Sequence, residues 1–599
     1  YATTGDAVTL NIDGLTIDNV GNNTSDHGMN LDIDNSATLT GTINNVTIGD
    51  SSGAGIFLDA RTGGAVNPTF TAITINGPVG TNGMQLIGDN TTTPTLSNID
   101  INAGQLNLTV QGISGSFSNM NLDGATAASL WFDTTANPSS WDDTTIVLTN
   151  APSPYHLLTA LPASVGILGA GTVDLGYNTT SSTVTESYIR VSGTLSNMTL
   201  MSDPLNTGSS VWRMVASTTI PSGVTLTITE DTIVKIDAGV ILYVDGTLSV
   251  TNAGGGPAVF TSILDDSVGD DLGDVTPPAR GNWGYINARA NSSIAIDTAI
   301  VRYMQYGIYQ ANTNPTAFTV SNTTFTEFTY NGLYLYPNGT ALYTLNNNTI
   351  SNGSNDDGLY LYATTGDAVT LNIDGLTIDN VGNNTSDHGM NLDIDNSATL
   401  TGTINNVTIS NSSGAGIYLD ARTGGAVNPT FTAITINGPI GTNGMQLVGD
   451  STTTPTLSNI NINAGQYNLT VQGIGGSFSN MNLDGATVAS IYLGTTATMS
   501  LWDDATIILT NAPAPYQLAN SFPASVGTLG TTDRGYNTTS STITENYISI
   551  SGTLANLTMM SDPLNTGNSV WRLIANTTIP SSVTLTISDD AIIKFNASV

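Results

Sequence analysis

The sequence contains no cysteine, which excludes disulfides and thiolate metal sites. Charged residues make up only 10% of the 599 residues, and the basic ones are scarce: 11 Lys and Arg stand against 46 Asp and Glu, for a formal net charge of −35. Nucleic acid and anionic lipid both need clustered basic side chains to neutralise phosphates, so we expect neither as a partner. No apolar run approaches about 18 residues, so we also expect no membrane insertion.

Helix signals are missing as well. The chain is rich in Asn, Thr and Gly, which are poor helix formers, and no stretch has an apolar stripe of helical period. Short runs that alternate β-branched and polar residues dominate instead. The composition therefore predicts an all-β fold.

One short phrase recurs through the second half of the chain. A glycine opens each copy, followed by an alternation of large apolar residues, at Gly332, Gly358, Gly389, Gly416 and Gly444. These glycines are 26, 31, 27 and 28 residues apart, which is the spacing of solenoid coils. Three short strands fit into each interval, with corners of Gly, Asn and Asp, so we predict a right-handed parallel β-helix whose coils stack about 4.8 Å apart.

Most of these coils belong to a long segment that occurs twice in the chain. Residues 362–599 repeat residues 1–240 at an offset of 361, which becomes 359 after a two-residue deletion, and residues 241–361 occur once. We interpret this as a tandem array of modules of about 361 residues. Because the chain begins and ends inside a repeat, we expect it to be a segment of a longer protein.

The rhythm of the coils predicts five regions. Proline-rich, irregular stretches interrupt the alternation twice, and we interpret them as connectors or caps between stacks. The predicted regions are 1–150, the C-terminal part of a β-helix stack; 151–211, a connector or cap; 212–511, a complete stack with an insertion at 264–283; 512–570, the second connector or cap; and 571–599, the start of the next stack.

The series VTLTITEDTIVKIDAGVILYVDGTLSV, AVFTSILDDSVGDD, PPARGNWGYI and IVRYMQYGIY, from about Ile220 to Tyr360, resembles the opening of right-handed β-helix domains. Such pectate-lyase-like solenoid domains occur in many secreted surface proteins of bacteria and archaea. The resemblance implies an extracellular location and an adhesive or structural role. It does not imply one activity, because the same fold also carries polysaccharide lyases and hydrolases.

A calcium ion is the only cofactor that the sequence suggests. The insertion carries five carboxylates within ten residues, and hard cations prefer six to eight oxygen ligands. The candidate ligands are Asp265, Asp266, Asp270, Asp271 and Asp274. A solvated acidic loop that binds no metal is the alternative.

Catalytic signals are weak, and we expect no enzyme. Aspartate pairs occur at Asp142–Asp143, Asp356–Asp357 and Asp503–Asp504, but neighbouring residues of a strand point to opposite faces, so a pair alone does not build an acid and base. His27 and His388 each precede a coil glycine, and we interpret them as hydrogen-bonding groups at a corner.

Eleven asparagines in Asn-x-Ser/Thr sequons are candidates for N-glycosylation, although such sequons also arise by chance in an Asn/Thr-rich chain. They are Asn22, Asn45, Asn90, Asn107, Asn178, Asn197, Asn291, Asn322, Asn338, Asn347 and Asn352.

Tyrosines recur at coil positions, and two interpretations stay open for them. They form either a stacking surface for sugar rings or a ladder that stabilises the sheet. The residues are Tyr334, Tyr336, Tyr360, Tyr362 and Tyr418. Arg61, Arg213, Arg422 and Arg572 are isolated, and we expect them to pair with nearby carboxylates or carbonyls.

The duplication favours a structural function. Repeating a long module nearly unchanged elongates a shape without adding a new site, so we expect an extracellular protein that builds a rigid rod or filament on a cell surface, with copies of itself as partners. An adhesin that binds glycans or a host surface is the alternative, and a polysaccharide lyase or hydrolase comes third.

Overall fold

The computed structural model describes residues 1–77, 79–133, 135–136, 138–141, 145–153, 155–157, 188–203, 211–272, 276–438, 440–494, 499–502, 506–518, 547–554, 557–559, 561 and 570–599. Within these ranges all regular structure is β-strand, and no helix is present. The described residues therefore contain no helix that could cross a membrane. The chain forms two compact units, Tyr1–Pro278 and Ala279–Val599. Each is a parallel β-solenoid, which confirms the predicted all-β solenoid class; the right-handed winding and the tandem modules stay predictions.

In the first unit two long parallel sheets run along the solenoid. The sheet that contains the strands following the repeated glycines, here called the glycine sheet, pairs Met29–Asp32, Ile56–Asp59, Asn82–Ile87, Leu106–Gln111, Ala128–Phe132, Tyr155–Leu157, Tyr188–Thr194, Val211–Ile220, Ile233–Ile236 and Ala258–Ser262 in that order. The second sheet contains Ile12–Ile17, Thr42–Ile48, Thr69–Asn76, Thr95–Asn102, Ser116–Asp123, Ser140–Trp141 and Ile146–Thr149. Shorter ladders complete the unit. Ala7–Thr9 pairs with Thr38–Thr40, and the end of Val211–Ile220 pairs with Leu242–Val244. Met198–Leu200 pairs with Thr225–Ile228, which in turn pairs with Thr247–Val250.

The second unit has the same plan. Its glycine sheet pairs Ile286–Ala288, Ile308–Ala311, Leu333–Tyr336, Leu359–Ala363, Met390–Ile394, Ile417–Ala421, Met445–Gly449, Tyr467–Gln472, Ala489–Leu493, Ala514–Leu518, Tyr547–Thr553, Val570–Thr578 and Ile593–Phe595. The other walls consist of Ser293–Asp297, Ala299–Arg302, Ala317–Ser321, Thr324–Phe328, Thr340–Gly353, Ala368–Val381, Thr399–Thr401, Thr403–Ser412, Thr430–Asn437, Thr456–Asn463, Ser477–Asp484, Leu501–Trp502, Ile507–Thr510 and the pair Leu557–Met559 with Leu585–Ile587.

The core consists of apolar side chains that lie above one another on successive coils. Leu376, Val407, Ile434 and Ile460 are in register on four neighbouring strands, and each is at most 2% exposed. The residues that alternate with them, such as Thr377, point outward. Because burying one such side chain contributes about 1.5 to 3 kcal/mol, these inward rows supply most of the stabilisation of a coil.

The repeated glycines are required by close packing between coils. A Cβ added to Gly389 would lie 2.6 Å from the carbonyl oxygen of Gly416 and 2.6 Å from Cγ2 of Ile409, and one added to Gly416 would lie 2.7 Å from the carbonyl oxygen of Gly444. Their backbone dihedrals are not in the left-handed region, so flexibility is not the reason. Glycine occupies this row because a side chain would collide with the next coil.

Asparagine occupies a corner that needs the left-handed conformation. Asn347, Asn406, Asn459 and Asn480 have φ values of 52°, 52°, 56° and 50°, and asparagine tolerates this region better than most residues. The Nδ2 of Asn347 donates to Oδ1 of Asn322 at 3.4 Å, so the corner amides also bond from coil to coil.

The duplicated segments have the same strand register. Ile43 pairs with Phe70 in the first unit, and their copies Ile404 and Phe431 pair in the second. The five predicted regions stay a prediction, since most of residues 151–211 and 512–570 lie outside the described residues.

Candidate functional site

The outward side of the glycine sheet in the second unit carries a continuous group of tyrosines. In Leu333–Tyr336 the two leucines are fully buried, so Tyr334 and Tyr336 alternate to the outside. Parallel pairing aligns Tyr309, Tyr334 and Tyr360 on three successive coils. The sequence pattern of this strand therefore produces a row of rings on the surface.

Ring contacts connect these residues with five further tyrosines. Tyr309 stacks on Tyr334 with centroids 4.9 Å apart and planes at 20°, and Tyr306 stacks on Tyr330 at 4.9 Å and 25°. We define the tyrosine face by its eight members: Tyr285, Tyr306, Tyr309, Tyr330, Tyr334, Tyr336, Tyr360 and Tyr362. Both interpretations of the tyrosines stay compatible with it, because the rings stack across coils and are also partly exposed.

Three phenol groups of this face, those of Tyr306, Tyr334 and Tyr360, stay neutral over a wide pH range. Burial, and to a smaller extent the neighbouring Tyr309, raises the pKa of Tyr306 to about 12. Burial likewise raises the pKa values of Tyr334 and Tyr360. Neutral phenols both donate and accept hydrogen bonds, so the face offers aromatic area together with polar edges.

Carboxylates border the tyrosine face on its C-terminal side. The hydroxyl of Tyr360 donates to Asp393 Oδ2 at 3.5 Å, and burial, assisted by Asp395, raises the pKa of Asp393 to about 6. One coil further on, Asp420 accepts from Tyr418 at 3.0 Å and from the guanidinium of Arg422. Although burial acts to raise the pKa of Asp420, these bonds hold it below its usual value.

A row of polar side chains satisfies backbone groups beside the glycines. Asn331 Nδ2 donates to the carbonyl oxygen of Asp357 at 3.2 Å, and Asp357 in turn accepts from the backbone N–H of His388 and, at 2.9 Å, from Asn391 Nδ2. His388 Nδ1 accepts from the backbone N–H of Ala415 at 2.9 Å. Each side chain thereby stabilises the neighbouring coil.

Burial dominates the titration of this row. Asp357 is 2% exposed, and burial raises its pKa well above the usual value against the opposing effect of its two donors. Burial lowers the pKa of His388 to about 4, with Asp387 opposing. A buried carboxyl that already accepts two hydrogen bonds is poorly placed to meet a substrate.

The first unit repeats the histidine arrangement. His27 Nδ1 accepts from Ala54 N at 2.9 Å, and its ring stacks on Phe57 at 4.5 Å and 13°, as His388 packs on Tyr418 at 4.7 Å. The interpretation of both histidines as corner hydrogen-bonding groups is confirmed.

The acidic insertion surrounds a lysine rather than an evident metal site. No three acidic, histidine or cysteine side chains of the described residues converge as metal ligands. Both oxygens of Asp265, which is 1% exposed, accept hydrogen bonds, from Thr261 at 2.5 Å and from Ser267 at 2.7 Å. The fully buried Lys235 donates to the carbonyl oxygen of Asp270 at 2.5 Å.

The charge of this lysine explains part of the acidic cluster. Burial lowers the pKa of Lys235, and the nearby carboxylates oppose that effect; they belong to Asp265, Asp266, Asp270 and Asp271. Asp274, the fifth calcium candidate, lies outside the described residues. Sequence reasoning missed this lysine because its partners come from a segment 35 residues away.

Most candidate glycosylation sites lie on the surface. Asn22, Asn45, Asn90, Asn197, Asn291, Asn322, Asn338 and Asn347 are exposed, and Asn352 is half-buried. Asn178 lies outside the described residues.

The structure corrects the list of sequons at one position. Asn107 is fully buried, and its Nδ2 donates to the carbonyl oxygens of Ala103 at 3.0 Å and Asp123 at 2.7 Å. The core has no room for a sugar there. Asparagine is needed at this position as an internal hydrogen-bond donor, a role that a sequon motif does not reveal.

The arginines pair largely as expected. Arg61, Arg213 and Arg422 form ion pairs with Asp59, Asp237 and Asp420 respectively, whereas Arg572 donates to Asn596 Oδ1 at 2.8 Å.

The aspartate pairs do not form a described catalytic site. Asp142–Asp143 and Asp503–Asp504 lie outside the described residues. In the third pair Asp357 is buried, while Asp356 accepts from the backbone N–H of Asp357 at 2.9 Å.

Four members of the tyrosine face, Tyr285, Tyr306, Tyr309 and Tyr330, are additions to the residues that the sequence predicts. The positions of Tyr285, Tyr306 and Tyr330 do not follow the repeated phrase, and only the register between coils brings these three residues to the face. Aligning the coils on their glycines gives the signal in one case, since Tyr309 and Tyr334 each lie two residues after a coil glycine.

No protein family, no curated protein and no solved structure matches this chain.

Proposed function

We propose that the chain is part of an extracellular structural protein whose tandem β-solenoid modules build a rigid rod or filament on a cell surface. The observation that carries this proposal is the duplication of a long segment whose copies use the same strand register, as in Ile43–Phe70 and Ile404–Phe431. Such repetition adds length while the contacts between coils stay the same. The proposal includes no catalytic step.

Hydrogen bonding along the axis gives such a rod its stiffness. Each coil bonds to the next through parallel ladders on its walls, and side-chain rows such as Asn331, Asp357 and His388 add bonds in the same direction. With about 13 to 15 coils, one module would contribute about 60 to 70 Å of length.

Electron cryomicroscopy of the native material tests the rod directly. The expected result is a continuous filament whose axial repeat equals the length of one module. Isolated globular particles under all conditions, with the solenoid packed into a larger compact enzyme, would overturn the proposal. Density on the exposed sequons would add evidence for an extracellular glycoprotein, and its absence at Asn107 serves as the internal control.

Glycan binding by the tyrosine face is the second candidate function. The observation that favours it is the continuous group of eight partly exposed rings, since aromatic faces stack on sugar rings. Bordering carboxylates such as Asp393 and a net charge of −35 favour neutral or amino sugars over acidic ones.

A paired substitution tests this second function. Tyr309→Ala with Tyr334→Ala should abolish binding on a glycan array. Tyr492→Ala, in the same outward row but outside the tyrosine face, should leave it unchanged. Equal binding by all three proteins would exclude the tyrosine face as the glycan site.

A further inference from the structure

Basic side chains of the first unit are aligned in one outward row of the glycine sheet. Pairing places His156 next to Arg190, Arg190 next to Arg213, and Arg213 next to Lys235, on successive strands. Trp131 precedes His156 in the same row. The whole chain has only 11 Lys and Arg, so three of them in consecutive positions is a notable concentration of positive charge.

Two of these cations are already compensated. Arg213 donates to both carboxylate oxygens of Asp237, at 2.9 and 3.2 Å, and Lys235 lies among the carboxylates of the acidic insertion. None of the ion pairs among the described residues includes Arg190. Arg190 is therefore the member of the row whose charge has no carboxylate beside it in the described part of the chain.

Unmatched donors accompany this charge. Arg190 Nε and Trp131 Nε1 are both buried and have no hydrogen-bond acceptor, and the hydroxyl of Thr109, the next residue along the row, is also unmatched. Between them His156 is neutral, because burial and the nearby Arg190 lower its pKa to about 4, and its Nε2 bonds to Ser192 at 2.9 Å. Buried N–H groups are rarely left without an acceptor.

We propose that Arg190 anchors a binding site for a small oxyanion group, a carboxylate, sulfate or phosphate. The planar guanidinium of Arg190 supplies the charge and the fork of donors that such groups prefer. Trp131, two strands away in the same row, contributes an unmatched N–H to the same side of the sheet. The inference does not depend on the structural function proposed above.

The second unit contains a natural counterpart without the site. In the corresponding row Tyr492, Gln517 and Ser549 replace Trp131, His156 and Arg190. There Gln517 accepts from the hydroxyl of Tyr467 at 2.7 Å, and Ser549 donates to the carbonyl oxygen of Tyr516 at 3.3 Å. Where the cation is absent, Gln517 and Ser549 find partners within the unit, whereas the hydroxyl of Thr470, the counterpart of Thr109, is unmatched in both copies and so does not distinguish them.

Titration of the full chain tests the site. Sodium sulfate, sodium phosphate and sodium acetate are added at an ionic strength kept constant with chloride, and binding is measured by calorimetry and by the shift in Tm. We expect saturable binding at one site for at least one oxyanion. Sulfate or phosphate as the tighter ligand identifies a tetrahedral group, and acetate as the tighter ligand identifies a carboxylate.

Three variants make the test specific. Arg190→Ser, which copies the residue of the second unit, should weaken binding by about tenfold to a hundredfold, and Trp131→Phe, which keeps a ring but removes the N–H, should weaken it less. Arg61→Ser removes the same charge at an exposed position and should have no effect. Absence of saturable binding, unchanged binding by Arg190→Ser, or an equal loss in Arg61→Ser would each overturn the proposal.

Discussion

Protonation of His388 is expected to destabilise the second unit. The Nδ1 of this residue accepts a hydrogen bond from the backbone N–H of Ala415, which is itself fully buried. An imidazolium has no free lone pair at Nδ1, so protonation there removes the acceptor and leaves the N–H of Ala415 unpaired. The effect is local to two neighbouring coils.

The magnitude follows from the shift in pKa. Burial lowers the pKa of His388 from 6.5 to about 4. The unfolded chain then binds more protons than the folded one between these pH values. The stabilisation is therefore complete above pH 6.5 and is lost as the pH falls towards 4. At 1.36 kcal/mol for each pH unit, the loss is about 3 kcal/mol.

Hydrogen exchange of the Ala415 amide measures this loss. We take the opening free energy of wild type minus that of His388→Gln, because this difference cancels the effects of all other titrating groups. It should fall by about 3 kcal/mol between pH 7 and about pH 4 as His388 becomes protonated. His27→Gln is the matched control and should show a smaller change, since His27 is less buried. A difference in opening free energy between wild type and His388→Gln that does not depend on pH would refute the reasoning.

Three further predictions follow from the packing and the charges. Gly416→Ala should lower stability by about 1 to 3 kcal/mol through collision with the next coil, whereas Gly366→Ala, in open space at φ 88°, should cost about 1 kcal/mol; thermal unfolding compares the two. Because burial raises the pKa of Asp393, the folded state favours the neutral carboxyl more than the unfolded state does, so stability should fall as the pH rises from about 4 through 6. Asp393→Asn should abolish this part of the pH profile of Tm. Asn107→Ala should destabilise by about 1 to 3 kcal/mol, because the carbonyl groups of Ala103 and Asp123 lose their donor, and an unchanged Tm would contradict this.

The fold could be predicted because its cause is local. Glycine spacing, two-residue alternation and Asn-rich corners each act within one coil, and every coil repeats them, as in Leu333–Tyr336 and Leu359–Ala363. Only half of the tyrosine face could be predicted from the sequence, since its rings meet through the register between coils. The role of Lys235 was missed because its partners come from a segment 35 residues away. Asn107 was taken for a surface sequon because its burial reverses the usual preference of amide side chains for the surface.

The two copies of the duplicated segment differ in chemistry chiefly on their outward rows. Inside the solenoid Leu130 is replaced by Ile491, which keeps an apolar side chain in the same buried position. Outside, Arg190 is replaced by Ser549, which changes a charge for a hydroxyl while the strand register stays the same. Inward positions are restricted by packing between coils, whereas outward positions are free to change their chemistry at little cost to the fold. A solenoid with nearly identical duplicated segments can therefore carry a binding site on one copy that the other copy lacks.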